Sequence, residues 1–204
     1  MDQLFIFDFD GVIAESLVLY ESLVTAHLEQ IGAPVVTTRE DFLDLFDGNF
    51  YASLRERGVD MEAFNAAIMD AAPTIDYTQI RPVDGILPVM RSLARDNTLL
   101  VISSNISSVI RIFLERYRFD GIFADVLGAD FMLSKTRKID HAVEQWRTER
   151  ERTYYVGDTV GDIKEGQAAH VRTVAVTWGW HPRERFAGVG ADYVADVPED
   201  LLSI

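Results

Sequence analysis

Leu4-Phe5-Ile6-Phe7-Asp8-Phe9-Asp10-Gly11 is the stretch on which the fold turns. A short continuous apolar run closed by Asp and Gly reads as a strand buried on both faces and ending in a turn. Similar runs follow at Thr98 to Ser103, Ala124 to Leu127, Thr153 to Gly157, Thr173 to Thr177 and Ala191 to Val194. Between most of them apolar residues recur at helical spacing, as in Ile106, Ile110, Phe113, Leu114 and Tyr117, or Ile139, Ala142, Val143 and Trp146. Strands alternating with helices define an α/β chain whose mostly parallel sheet is covered on both faces.

The alternation breaks once, between Glu15 and about Arg81, where the reading is helical throughout. Leu17, Tyr20, Val24, Leu28 and Ile31 share one helix face, and Gly32 is placed to stop it. Thr37 and Glu40 have capping-box spacing for the next helix. Asp47-Gly48-Asn49 makes a turn, and two shorter helices are expected to end near Gly58 and before Pro73. The expectation is a cap of about four helices at 15–81, inserted into an α/β core made of residues 1–14 and 82–204.

Composition narrows the function. The chain has 204 residues, with 19 basic and 33 acidic side chains and a formal net charge of −14. Such an acidic balance argues against nucleic acid or an anionic membrane as the main partner, while leaving room for a small phosphorylated ligand. With no cysteine, disulfides, thiolate metal sites and cysteine nucleophiles are excluded. No apolar run approaches the ~18 residues that span a bilayer. The first basic residue is Arg39, so a positively charged secretion signal is not expected, and the expected location is cytoplasmic. A monomer or weak homodimer is expected.

In open parallel sheets, ligands bind beyond the carboxyl ends of the strands. Those ends carry Asp8 and Asp10, then Ser103, Ser104 and Asn105, then Lys135 and Lys138 where a helix opens, then Gly157-Asp158 with Asp162 four residues on. Singly, each is an ordinary turn or helix cap. Together they bring carboxylates, hydroxyls and an amine to one edge. Phe7-Asp8-Phe9-Asp10-Gly11-Val12-Ile13 resembles the opening motif of the haloacid dehalogenase-like superfamily, and Val101-Ile102-Ser103-Ser104-Asn105 resembles its second motif. Ser134-Lys135-Thr136-Arg137-Lys138-Ile139 is similar to its lysine motif, and Tyr155-Val156-Gly157-Asp158-Thr159-Val160-Gly161-Asp162 to its acidic motif. The branch it most resembles holds the phosphoglycolate phosphatase-like and β-phosphoglucomutase-like enzymes with a helical cap. Val12 and Glu15 depart from the commoner threonine and aspartate of the first motif without touching the chemistry.

The resemblance implies a Rossmann-like, three-layer parallel core and phosphoryl transfer through an aspartyl phosphate. Asp8 would be the nucleophile, since a carboxylate is ionised at neutral pH without an activating base. Its attack on a phosphate ester brings anions together, and each pair at ~4 Å repels by about 4 kcal/mol at an effective dielectric of 20. A divalent cation offsets this, and an all-oxygen site favours Mg²⁺. By resemblance, Asp8, the main-chain carbonyl of Asp10 and Asp158 would hold the metal, with Asp162 in support. Asp10 would act as general acid and then base. True haloacid dehalogenases lack this second aspartate, so its presence favours phosphate chemistry. Ser103 and Ser104 would bind the phosphoryl group with Lys135, for which Lys138 is the competitor. The four histidines show no paired ligand spacing.

The chain has only three lysines, Lys135, Lys138 and Lys164, so the cap lacks the one that phosphonoacetaldehyde hydrolase-type chemistry needs. The turn Phe46-Asp47-Gly48-Asn49-Phe50 matches the cap loop that usually faces the site, which makes Gly48 and Asn49 substrate-binding candidates. It has no basic residue, so a substrate without a second phosphate is expected, although Arg39, Arg55 and Arg57 lie nearby in the chain. Trp178-Gly179-Trp180-His181 either rims the site or is a structural turn. The expected activity is a Mg²⁺-dependent phosphatase acting on a small phosphorylated metabolite. The alternatives are a phosphomutase of the β-phosphoglucomutase type and a phosphate-accepting switch without turnover.

Overall fold

The computed structural model describes residues 3–71 and 77–204. Leu4–Phe7 forms strand β1, and its four side chains are at most 1% exposed. Side chains alternate across a strand, so one strand feeds both faces of the sheet. Phe5 and Phe7 enter the cluster that includes Ile86, Met90, Ile110 and Phe113, while Leu4 and Ile6 enter the one that includes Ile139, Ala142 and Val143. An all-apolar run is what a strand covered on both sides requires.

Ala14–Glu15 (β2) and Arg81–Pro82 (β3) pair antiparallel in a ribbon of their own. Between them lie α1 (Leu17–Gln30), α2 (Arg39–Asp44), α3 (Phe50–Glu56) and α4 (Met61–Ala71). The remainder alternates: α5 (Ile86–Leu93), β4 (Thr98–Ile102), α6 (Ser107–Arg116), β5 (Asp125–Leu127), α7 (Lys135–Trp146), β6 (Thr153–Gly157), α8 (Val160–Ala168), β7 (Arg172–Val176) and β8 (Tyr193–Ala195). The main sheet runs β5-β4-β1-β6-β7-β8, with every pairing parallel. The chain leaves β1 toward β4 on one side and β6 on the other, so the carboxyl end of β1 lies where the order reverses.

The four helices between β2 and β3 have their own apolar cluster, in which Leu28, Phe42, Leu54 and Phe64 are buried. Trp180, from the segment after β7, inserts into it. Two local readings differ from expectation. The capping box of α2 is Thr38 with Asp41 rather than Thr37 with Glu40, because the Asp41 carboxylate reaches the backbone N–H of both Thr37 and Thr38. The two-residue strands β2 and β3 fall where no strand was read, being too short to carry a period. The expected helix stop at Pro73 lies outside the described residues.

Candidate active site

Three adjacent strand ends set the site. Phe7 is in register with Val101 of β4 and Val156 of β6, so the residues following these strands converge. The backbone N–H of Asp8 donates to the carbonyl of Val156 at 2.8 Å. The chain then turns through Gly11, whose φ of +79° favours glycine. A Cβ there would lie 1.9 Å from Asp158 Oδ2, so close approach also demands glycine. Gly11→Ala is expected to cost about 2 kcal/mol or more, a fall of ~4–8 °C in Tm. Thermal unfolding checks it, and an unchanged Tm would contradict the packing described here.

Each carboxyl group is distinct in its partners. Asp8 Oδ1 accepts from the Phe9 N–H at 2.7 Å and Oδ2 from Lys135 Nζ at 2.7 Å. Lys135 Nζ also donates to Asp162 Oδ1 at 2.6 Å. Asp158 Oδ2 accepts from the Trp180 N–H at 2.7 Å, whereas its Oδ1 is buried without a partner. Asp10 Oδ1 is likewise buried and unpartnered. Asp162 accepts from Lys135 and Tyr155 on one oxygen and from the Thr159 hydroxyl and N–H on the other. That fills the roughly four lone-pair positions of a carboxylate. Asp162, expected among the metal-holding residues, uses these bonds to orient Lys135 and cap α8, and its carboxylate also lies beside those of Asp8 and Asp158.

Burial pushes Asp8 up to about 7 against the pull of Lys135, and pushes Asp10 up to about 6. Burial, with Asp162 and Asp8 adding to it, drives Asp158 well above the carboxylate range. Burial also acts on Asp162, but Lys135 and hydrogen bonds from Thr159 and Tyr155 prevail and hold it below its ordinary value. For Lys135, burial opposes the charge, and the attraction of Asp162 and Asp8 outweighs it, so the amine stays cationic. One lysine cannot keep four buried carboxyl groups ionised. Oxygens of Asp8, Asp158 and Asp162 lie within 4.8 Å of one another. With two orphaned oxygens beside them and no sulfur or imidazole donor in the cluster, the donor set suits a hard divalent cation.

Ser103 Oγ accepts from the Asn105 N–H at 3.0 Å, and Ser104 shares the pocket wall with it. The two lysines are separated by geometry. Lys135 meets Asp8, whereas Lys138 Nζ donates to the carbonyls of Ser103 and Gly128, tying the ends of β4 and β5 together. Asn49, expected beside the substrate, instead caps α3 through the Ala52 N–H and donates to Glu165 Oε1 at 3.0 Å. Its side chain is spent on joining the insert to the core. Gly48 does line the pocket.

Further contacts across that joint were not read from sequence. The Gly161 N–H donates to the Phe46 carbonyl at 2.7 Å, and a Cβ on Gly161 would lie 2.4 Å from the Gly48 carbonyl oxygen. Lys164 Nζ donates to the Asp47 carbonyl, His181 Nε2 meets the Leu43 carbonyl, and Arg185 pairs with Glu40, Asp44 and Asp47. Trp178-Gly179-Trp180-His181 proves both structural and part of the rim: its backbone holds Asp158, and Trp180 lines the pocket. Glycine between two tryptophans just after a strand was the available signal, since a Cβ on Gly179 would meet Asp158 Oδ2 at 2.4 Å. Among the described residues, no helix is long and apolar enough to cross a membrane.

Comparison with known proteins agrees with this geometry. Residues 5–176 match the family model described as haloacid dehalogenase-like hydrolase. A phosphoglycolate phosphatase of Synechococcus elongatus is 28% identical over 208 residues, spanning 98% of this chain and 95% of that protein. The tyrosine-protein kinase PtkA of Mycobacterium tuberculosis is 32% identical over 189 residues, which span 87% of this chain and 63% of the kinase. A haloacid dehalogenase-like family protein from Streptococcus pneumoniae superposes with a TM-score of 0.81 at 16% identity, covering 99% of this chain and 97% of the other, a likeness of fold.

Proposed function

The chain belongs to the haloacid dehalogenase-like hydrolase family, and on that premise we propose that it is a Mg²⁺-dependent phosphatase that hydrolyses a small phosphate monoester through an aspartyl phosphate on Asp8. The observation that carries this reading is the Asp8 carboxylate bonded at 2.7 Å to a buried, cationic Lys135 in the wall of a pocket. Residues 1–14 and 82–204 act as the catalytic core, and residues 15–81 as the cap over it.

The Phe9 N–H and Lys135 fix the Asp8 carboxylate, which attacks phosphorus as the ester P–O bond breaks. The Asp10 carboxyl gives its proton to the departing oxygen. It then takes a proton from the water that attacks the aspartyl phosphate, restoring Asp8 and freeing inorganic phosphate. Ser103, whose hydroxyl accepts the Asn105 N–H, has its own proton available for a phosphoryl oxygen, and Ser104 adds to that wall. Lys138 positions Ser103 by holding its carbonyl. When bound to Asp8, Asp158 and the main-chain carbonyl of Asp10, Mg²⁺ supplies the charge neutralisation that lets a phosphate dianion approach these carboxylates.

Among the described residues, Lys135 is the only lysine or arginine lining the pocket. That favours a monoester over a nucleoside triphosphate donor, a second phosphate as a mutase would require, or both. Chelator-treated protein is expected to release no phosphate from a generic aryl phosphate, and Mg²⁺ to restore release. At a hundred times its Kd, Mg²⁺ should stabilise by about 2.7 kcal/mol, a Tm rise of ~5–11 °C. In the metal-free protein Asp8 and Asp10 bind more protons folded than unfolded, because burial pushes them up to about 7 and about 6 from 3.8. These groups' stability contribution is therefore present below about pH 4 and lost as pH rises to 7, a loss Mg²⁺ should reduce. Undiminished turnover in chelator would contradict the metal requirement.

A further inference from the structure

We infer that the Tyr20 hydroxyl and the Trp180 indole N–H form a two-donor subsite for an acceptor oxygen, hydroxyl or carboxylate, on the substrate's leaving group. This deepens the phosphatase reading and rests on it. Tyr20, His27, Tyr51, Tyr77, Asn105 and Trp180 all line the pocket, so its wall carries polar groups beyond the catalytic ones. Two of these side chains are spent within the protein. The Tyr51 hydroxyl donates to the Ser104 carbonyl at 3.2 Å, and the Asn105 amide accepts from the Ile106 N–H and meets Asp10 Oδ2. The Tyr20 hydroxyl and Trp180 Nε1 differ: both are buried, and neither has a partner in the protein.

Position ties the pair to the leaving group. The two rings lie 6.0 Å apart, so α1 of the insert and the segment after β7 each bring one donor to the same patch. The Trp180 backbone N–H is fixed on Asp158 Oδ2 at 2.7 Å, which anchors its side chain beside the carboxylates. Burial raises the Tyr20 hydroxyl well above its ordinary range, so it stays protonated, and Asp10 acts on it more strongly than Asp8 does. Asp10 is the group that gives its proton to the departing oxygen, which puts Tyr20 on that side of the phosphoryl group. An indole N–H only donates, so its partner must bring an acceptor. A buried donor left unpaired is costly, and a ligand oxygen removes that cost where a methyl group cannot.

Three non-hydrolysable phosphonates test this by calorimetry in Mg²⁺: 3-hydroxypropylphosphonate, 3-phosphonopropionate and butylphosphonate, which has a methyl where the first has its hydroxyl. At least one acceptor-bearing ligand should bind ~5-fold or more tightly than butylphosphonate, and which one does so separates hydroxyl from carboxylate. Tyr20→Phe should weaken that ligand about 5–20-fold and butylphosphonate less than ~2-fold. In the unaltered protein the same ligand should move the Trp180 indole N–H resonance downfield, a signal identified by its loss in Trp180→Phe. The Trp178 indole, already bonded to the Val12 carbonyl at 3.2 Å, should stay in place. No preference over butylphosphonate, an equal loss of both ligands in Tyr20→Phe, or an unmoved Trp180 signal overturns the assignment. Hydrolysis separates it from its parent. The ligand preference without phosphate release from 2-hydroxyethyl phosphate or phosphoglycolate removes the phosphatase reading and keeps the subsite. A kcat/KM for propyl phosphate equal to or above that for both of those esters removes the subsite and keeps the phosphatase.

Discussion

Asp8→Asn is expected to lower phosphate release from any substrate by about 10⁴-fold or more, the scale on which loss of a covalent nucleophile acts. The amide is nearly isosteric, can still accept the Phe9 N–H, and leaves Lys135 its bond to Asp162. It also removes one carboxyl group from a cluster in which burial already pushes Asp8 up to about 7. The variant should thus fold with an unchanged or raised Tm in the absence of metal. Loss of activity with retained folding isolates the chemistry, and turnover near that of the unaltered protein would remove Asp8 as nucleophile.

The second large effect is expected at Asp10. Its Oδ1 is buried without a partner, Oδ2 meets Asn105 Nδ2 at 3.5 Å, and burial pushes the carboxyl up to about 6, so it can carry a proton near neutral pH. Asp10→Asn should slow turnover by ~10²–10⁴, the range of general acid–base catalysis. The loss should depend on the leaving group. An alkyl phosphate needs the proton as its P–O bond breaks, whereas 4-nitrophenyl phosphate releases a stabilised phenolate with little help. In single-turnover measurements the variant should therefore lose far more on the alkyl ester. An equal loss on both esters would place the acid elsewhere.

The sheet was legible because its strands are buried on both faces. Continuous apolar runs such as Leu4 to Phe7 and Thr153 to Gly157 have no other comfortable place in a folded chain. Boundaries moved where burial and chemistry disagree: β7 begins at Arg172, whose guanidinium reaches the Glu151 carbonyl and the Tyr193 hydroxyl, and stops before Thr177. The carboxylates were legible from their spacing, since Asp8 and Asp158 follow neighbouring strands. What could not be read were roles borne by the backbone or by distant pairs. The Trp180 N–H holding Asp158 has no side-chain signature. Nor does the joint formed by Arg185 with Glu40, Asp44 and Asp47, which are more than 130 residues away in sequence. The turn at Asn49 is legible, but the partner of its amide, Glu165, depends on how the insert sits on α8 and has no local signature.

The most direct test of the account is to quench the protein with acid during turnover of a phosphate monoester in Mg²⁺ and map the covalent adduct by mass spectrometry. The account predicts one added phosphoryl group on the peptide containing Asp8, absent from Asp8→Asn and trapped longer in Asp10→Asn. Sustained phosphate release with label on no residue, or on a residue other than Asp8, would contradict it.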